Sequence, residues 1–265
     1  MNSIRIKVNA KINLSLDITG VREDGYHNLD MLMTSVDIFD IITAQKSDKS
    51  RVVMDGKAAN ANNTAVKALA LLKEKFNIAM DVDIVKGIPF SAGMGGSSAD
   101  ASGVFFCASK LFGIAIDEMI PLAVKVGCDV AYMLFGGGAR AQGAGELITP
   151  VELNPLTLVI AQKTVGSSTK DIYKKYDEIG GDRADGKAYV NALERSAVLL
   201  NPKIAEAKAD LLKFSDCVFM TGSGSAYVGV FDDDEKARRC QRSLQDYVFC
   251  KLAHTKPQGI EIIEQ

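Results

Sequence analysis

The sequence predicts an α+β protein, built as one domain or as two halves sharing a cleft, and three observations predict it. Residues 4–18 alternate apolar and polar at the period of a strand. Residues 82–113 run from a short strand through a glycine-rich bend into an apolar stripe at helical spacing. The last 110 or so residues mix short strands with helices, without repeats, low-complexity tracts or long linkers.

In chain order, Ile4, Ile6, Val8, Ala10, Ile12, Leu14, Leu16 and Ile18 share the apolar face of the first strand. Lys7, Asn9, Lys11, Asn13 and Ser15 share the other, so Lys11 and Asn13 project together. On pattern alone that polar face is a solvated one. The polar turn GVREDGYHNLD then sets Tyr26 beside His27 ahead of a strand-like run over 31–42. An Asn-rich loop at 60–63 leads into an amphipathic helix with Ala65, Val66, Leu69, Leu72 and Phe76 on one side, for which a packing helix with an Asn cap is the plain reading. Val82, Ile84 and Val85 form the strand before the bend; Val104, Phe105, Ala108, Leu111 and Phe112 form the helix after it, and Gly113 stops it. Asp117 is positioned to cap a helix ending near Gly127, with Asp129 immediately beyond that end. The glycines of LFGGGARAQGAGE demand a bend or a close backbone approach.

A seam at 149–155 divides the chain into 1–153 and 154–265. The second half opens with a strand at 158–161 and a polar turn, TVGSSTKDIYKKYD. Helices are expected around 187–200 and 202–214, and strands at 217–221 and 226–231 around the loop Gly222-Ser223-Gly224-Ser225. A capped helix from Asp233 and a last strand at 247–252 complete it.

With 265 residues, 47% hydrophobic and 24% charged, the chain can bury a large core. A net charge of −2 gives no broad electrostatic case for nucleic acid or an anionic membrane, so an anionic ligand must be held locally. Five scattered cysteines with no Cys-x-x-Cys pair read as reduced core residues, and two histidines make a histidine-rich metal site improbable. No apolar run is long enough to span a bilayer and no export segment is evident, so a cytoplasmic protein is expected.

The bend itself carries chemistry. Gly93, Gly95 and Gly96 let successive N–H groups point into one concavity at the positive end of a helix, which is an anion site and most often a phosphate site. It is not a Walker loop, because no lysine follows Gly96, nor a dinucleotide fingerprint, because Ser98 stands where a third glycine belongs. The bland alternative is a flexible turn capped by Ser97 or Ser98.

Three segments, in order, resemble one superfamily. Pro89-Phe-Ser-Ala-Gly-Met-Gly-Gly-Ser-Ser-Ala resembles the phosphate loop of the galactokinase, homoserine kinase, mevalonate kinase and phosphomevalonate kinase (GHMP) superfamily, and Val8-Asn-Ala-Lys-Ile-Asn-Leu and Thr221-Gly-Ser-Gly-Ser resemble its first and third motifs. AKINLSLDITGVREDGYHNL, Val126-Gly-Cys-Asp-Val and Ala144-Gly-Glu are further similar to the 4-diphosphocytidyl-2-C-methyl-D-erythritol kinase family of the non-mevalonate isoprenoid pathway. In that family's usual loop the two serines stand one place later than Ser97 and Ser98 do here.

The resemblance implies a two-domain GHMP kinase fold, with a ribosomal S5-like N-terminal α/β domain and a ferredoxin-like C-terminal α+β domain around a shared cleft. It implies ATP with Mg²⁺, the ion arriving with the nucleotide rather than in a dedicated cluster, and a small cytidine-diphosphate-linked polyol as acceptor. Lys11 and Asp129 match the catalytic pair. Asn63 and Lys86 match positions near the adenosine, and Pro89, Gly93, Gly95, Gly96, Ser97 and Ser98 belong to the ATP loop. Asn13, Tyr26, His27, Tyr173, Gly222 and Ser223 fall to the acceptor, with the aromatic groups on the cytosine. A monomer or homodimer is expected, with neither nucleic acid nor membrane as partner. A sibling small-molecule kinase and a non-catalytic nucleotide-binding protein are the competing readings; the Asp-Gly-Tyr-His segment argues against the first, and Lys11 with Asp129 against the second.

Overall fold

A computed structural model describes residues 1–264 apart from Asp24, Asp182, Ala184 and Gly186. The aspartate of the Asp-Gly-Tyr-His segment, Asp24, therefore lies outside the described residues. Alternation over residues 4–18 produces a long first strand, β1 (Ser3–Val21), which pairs along its whole length with β2 (His27–Lys46). Lys11 lies opposite Ser35 and Val21 opposite His27, so the turn between the strands presents Tyr26 and His27 at one end of the hairpin. β3 (Arg51–Met54), β4 (Lys57–Ala58) and β5 (Met80–Val85) extend the sheet from β2, β3 running parallel to β5.

Four helices cover one face: α1 (Thr64–Phe76), α2 (Gly96–Phe112), α3 (Ile120–Val126) and α4 (Cys128–Phe135). Asn63 caps α1, its side chain accepting from the Ala65 amide at 2.8 Å. α2 is apolar nearly all round and buried, as a central helix must be. It lies directly on the hairpin because residue 103 is glycine: a Cβ there would stand 2.2 Å from Ile42 Cδ1 and 2.9 Å from Val8 Cγ2.

The hairpin of β6 (Ala139–Gly143) and β7 (Leu147–Pro150) leads into the second half, where β9 (Val218–Met220), β10 (Tyr227–Phe231), β8 (Thr157–Gln162) and β11 (Phe249–Lys256) lie side by side in that order. α5 (Thr169–Ile179), α6 (Glu194–Leu200), α7 (Ala205–Leu211) and α8 (Asp234–Ser243) flank them. β11 also bonds to β2 at Thr255 and Lys256, and a final strand, β12 (Ile260–Glu264), returns to pair with β1. Among the described residues no helix is long and apolar enough to cross a membrane.

Several expectations change. The polar side of β1 is not solvated: Asn9, Lys11 and Asn13 are all buried, because helices cover one face of the strand and the second half closes over the other. TVGSSTKDIYKKYD is not a turn throughout. From Thr169 it is α5, with Ser168 accepting from the Asp171 amide as its cap and Ile172 as the buried anchor. Asp117 caps no α-helix; it sits inside a 3₁₀ turn, and α3 starts at Ile120 with Pro121 in its first turn. Asp129 stands just beyond the end of α3, as expected, and there it lies in the first turn of a further helix, α4, that the sequence reading did not anticipate. Residues 187–193 are not helical, and Asn191 instead bridges to Leu16 of β1. The strand expected at 247–252 runs on to Lys256, and β12 follows it.

Candidate active site

The two halves enclose a cleft of about 1140 Å³ lined by both. Pockets for one small ligand span roughly 300–1,000 Å³, so this one has room for two reactants. Lys11, Asn13, Tyr26, His27, Lys86, Pro89, Gly93, Gly95, Gly96, Ser97, Ser98, Asp129, Tyr173, Gly222 and Ser223 all line it. Asn63, the α1 cap, does not, although Thr64 beside it donates to Ser97 O at 2.5 Å.

One wall is the glycine-rich bend. Gly93 and Gly95 have φ of 76° and 73°, a left-handed region that favours glycine. Gly95 is the N-cap of α2 and brings no side-chain acceptor, while Ser97 and Ser98 already lie inside the helix. That removes the serine-capped-turn alternative: the first amides of α2 have no side-chain cap and face the cleft, which is the arrangement that holds an anion. The bend is seated by the second half. Ser225 and Ala226 amides donate to Ser91 O and Ala92 O at 3.0 and 3.3 Å, and Gln162 donates to Phe90 O at 3.0 Å. A Cβ on Gly93 would come 2.1 Å from Thr221 O. Glycine at 93 is therefore required by close approach as well as by φ.

Behind the bend, β1 delivers Lys11 and Asn13 two residues apart, on one face of the strand. Lys11 Nζ donates to Asn13 Oδ1 at 2.7 Å and stands 3.4 Å from Asp129 Oδ2, with 6% of the Lys11 side chain exposed against 27% for Asp129. The Asn13 amide donates to Thr221 Oγ1 at 2.9 Å, tying this strand to the third motif. A cation pinned by a neutral acceptor, beside a carboxylate that keeps access to the cleft, can orient and deprotonate a hydroxyl.

Lys86 is differently employed. Its ammonium donates to Asp40 Oδ2 at 2.5 Å, Asp100 Oδ1 at 2.9 Å and Gly96 O at 3.1 Å, and all three side chains are buried. Asp40 also accepts from the Gly87 and Ile88 amides at 2.7 and 2.9 Å. Burial, reinforced by the Asp40 charge, pushes the Asp100 carboxyl up to about 7 against the pull of Lys86. Among the described residues no group of three His, Cys, Asp or Glu side chains is assembled to hold a metal.

At the far end, His27 faces Tyr173 with ring centroids 4.8 Å apart and meets Tyr176 edge-on at 6.2 Å. Burial foremost, then the Asp129 charge, raises the Tyr173 phenol above its ordinary value, so it is neutral and offers a flat apolar face. Tyr26 is 63% exposed at the cleft mouth. Cys128, next to Asp129, is likewise kept as a thiol by burial and the neighbouring carboxylate.

Comparison with known proteins identifies the family and the fold. Family models for the GHMP kinases N terminal domain and the GHMP kinases C terminal domain match residues 63–137 and 177–249. The chain is 34% identical to a 4-diphosphocytidyl-2-C-methyl-D-erythritol kinase of Thermoanaerobacter pseudethanolicus, covering 100% of both chains. It is 35% identical to the enzyme of that name from a Geobacillus species, over 91% of this chain and 93% of that one. The chain belongs to the GHMP kinases, in the 4-diphosphocytidyl-2-C-methyl-D-erythritol kinase family. A crystal structure of 4-(cytidine 5'-diphospho)-2C-methyl-D-erythritol kinase superposes on this GHMP kinase with a TM-score of 0.82 at 29% identity, over 95% of this chain and 98% of that one. A homoserine kinase from Cytophaga hutchinsonii superposes at 0.73 with 18% identity, over 99% and 98%, which shows the shared fold.

This GHMP kinase also uses residues that sequence reasoning passed over. Thr221 bonds to the strand carrying Lys11, and its signal was its place at the head of the third motif. Asp40 and Asp100 hold Lys86; one is among several polar residues along β2 and the other a helix residue, so neither advertises a partner. Asp177 accepts from His27, and its only signal is its spacing from Tyr173.

Proposed function

We propose that this GHMP kinase transfers the γ-phosphoryl group of ATP to the 2-hydroxyl of 4-diphosphocytidyl-2-C-methyl-D-erythritol, with Lys11 and Asp129 as its catalytic pair. The observation that carries the reading is the position of that pair, between the uncapped amides of α2 on one side and the Tyr173–His27 aromatic surface on the other. Phosphoryl transfer asks a protein mainly to align two reactants and neutralise charge. The amides of Gly95 to Ser98 take the phosphates, and Mg²⁺ carried in with ATP would supply neutralisation of the phosphate charge there. Of the two carboxylates near the loop, Asp129 would be the one to hold that ion, since Asp100 is committed to Lys86.

Asp129 accepts the proton of the acceptor hydroxyl as its oxygen bonds to the γ-phosphorus and ADP leaves. Lys11, 3.4 Å from Asp129, orients that carboxylate and balances the developing alkoxide charge. Tyr26 and Tyr173 cover the faces of the cytosine, His27 reads its edge, and Asn13, Gly222 and Ser223 line the path of the polyol. We assign the boundary between the domains to 153/154, with β12 returning across it to the first sheet. A cytoplasmic monomer or homodimer is the setting consistent with these features.

The test is ATP consumption against a panel of acceptors. Turnover with the cytidyl-methylerythritol acceptor, and little with mevalonate, homoserine or bare methylerythritol, is expected. Equal turnover with bare methylerythritol would remove the base from the reading, and preference for mevalonate or homoserine would move the chain to a sibling activity. ATP binding tests the loop separately. A Cβ at residue 96 would come no nearer than 3.3 Å to Ile88 and 3.6 Å to Lys86 Nζ, so a Gly96→Val variant should fold and lose nucleotide affinity.

A further inference from the structure

Three residues of α5 surround one imidazole. Tyr173, Tyr176 and Asp177 are spaced i, i+3 and i+4, so they share one face of the helix. Tyr173 lies against the face of His27 and Tyr176 against its edge. Asp177 Oδ1 stands 2.7 Å from His27 Nε2. Across the helix, His27 is the first residue of β2, paired with Val21, so its backbone is fixed by the hairpin. The imidazole is 11% exposed and lines the cleft, whereas 53% of the Asp177 side chain faces solvent.

A carboxylate has no proton to give, so the short contact places a hydrogen on Nε2. In a neutral imidazole the other nitrogen is then an acceptor, and the partner of one nitrogen decides what the other offers. His27 Nδ1 bonds to no described residue. It is also not a sealed atom: among the described residues the buried side-chain polar atoms without a partner are Glu146 Oε2 and Ser196 Oγ.

We infer that Asp177 is a positioning residue that sets base specificity, by holding His27 with its Nδ1 lone pair turned to the cleft as an acceptor for the exocyclic amino group of a 4-aminopyrimidine. This deepens the functional reading above and rests on it. An amino group donates to Nδ1, whereas the 4-oxo group of a uracil ring sets lone pair against lone pair. Rejection of the wrong base then comes from a polar group left unpaired, the kind of discrimination hydrogen-bonding sites achieve best. Asp177 touches neither the base nor the reacting atoms; it acts through His27.

The experiment compares cytidine- and uridine-diphosphate-linked methylerythritol as acceptors, in the full-length protein and in Asp177→Ala and Asp177→Asn variants. The wild type should prefer the cytidine acceptor. Asp177→Ala should lower that preference by about tenfold or more, through KM for the cytidine acceptor, with kcat within about twofold. Asp177→Asn, whose carbonyl can still accept from Nε2, should fall between. A merely structural ion pair would change kcat or folding while leaving the base preference where it was.

Nitrogen-15 NMR supplies a readout independent of turnover, since the chain has only two histidines, His27 and His254. In the wild type the His27 proton should reside on Nε2, with Nδ1 unprotonated. A proton on Nδ1, or an unchanged cytidine preference in folded Asp177→Ala, would overturn the inference. Equal use of both acceptors by the wild type would overturn it while leaving the kinase reading intact; no turnover of the cytidine acceptor would instead defeat that reading, and the inference with it.

Discussion

Two lysines line the same cleft, each beside carboxylates, and they are put to opposite uses. Lys11 meets Asp129 at 3.4 Å with its nearest bond going to the neutral Asn13, and Asp129 keeps an open side. Lys86 is closed in by Asp40, Asp100 and Gly96 O, with 5% of its side chain exposed and the carboxylates at 0% and 3%. The second cluster has spent its donors and acceptors internally; the first retains an acceptor that a substrate hydroxyl can reach. Proximity of cation and carboxylate therefore does not distinguish the proposed catalytic pair from a structural one. Residual hydrogen-bonding capacity facing the ligand does.

The sharpest separation should come from paired substitutions. Asp129→Asn keeps the shape of the site but removes its proton affinity, so kcat should fall by roughly 10²–10⁴, about 3–5 kcal/mol of transition-state stabilisation, with unfolding and ligand binding little changed. Lys11→Ala should also be severe. The double variant should lose much less than the product of the two, because groups that act together are not additive. Single-turnover phosphoryl transfer on folded variants measures all three; near-normal kcat in Asp129→Asn would erase the distinction drawn here.

Lys86→Met should do the reverse. Removing the cation strands two buried carboxylates, and breaking such a group costs about 3–5 kcal/mol of stability, read by urea unfolding. Because Asp100 is raised in the folded state, the fold binds the extra proton: its contribution to stability is complete below the ordinary carboxylate value and fades as pH rises through about 7. Urea midpoints for the wild type should therefore show a decline over that window that Asp100→Asn flattens. A Lys86→Met protein of normal stability but no ATP binding would make Lys86 a ligand-binding group instead.

Tyr26→Ala should be milder still. Stacking on a base is worth roughly 1–3 kcal/mol, and a remote base helps ground and transition states alike, so KM for the acceptor should rise about 5- to 150-fold with kcat nearly constant. A fall in kcat alone would tie Tyr26 to the reacting centre.

The smallest effect belongs to a third cluster, far from the cleft chemistry, where His254 lies 3.0 Å from Asp234 Oδ1 and 3.3 Å from Asp37 Oδ2. The Asp234 hydrogen bond, with Asp37 in support, raises the imidazole above its ordinary value. The stabilisation is therefore fully present below about 6.5 and is lost as pH rises through the raised value. These groups are more than a third exposed, so the effect should stay within about 1 kcal/mol, a Tm change of no more than about 4 °C. Calorimetry at pH 6 and 8, with His254→Gln as the control, measures it; a larger shift would mean that exposed and buried clusters are energetically alike.

What the amino-acid sequence determined by itself is local or written in contiguous motifs. Alternation in β1, the strand–bend–helix around Gly93 to Gly96, the Asn63 and Asp233 caps and the stop at Gly113 all follow from neighbours in the chain. The motifs pointed to the kinase fold, and every proposed site residue except Asn63 lines the cleft between the two halves. The tertiary structure decided what depends on chain segments far apart. It buried the polar face of β1, since only closure of the second half covers Asn13. It turned the polar stretch after Ser168 into α5, whose Ile172 anchor has value only when there is a core to receive it. It also separated Lys11 from Lys86, because the sequence shows each as a cation near a motif, while its carboxylates arrive from 118 residues away in one case and from 46 and 14 in the other. Periodicity and capping act over one or two turns; charge pairing and closure of a cleft act through space, and only the fold brings those groups within reach of one another.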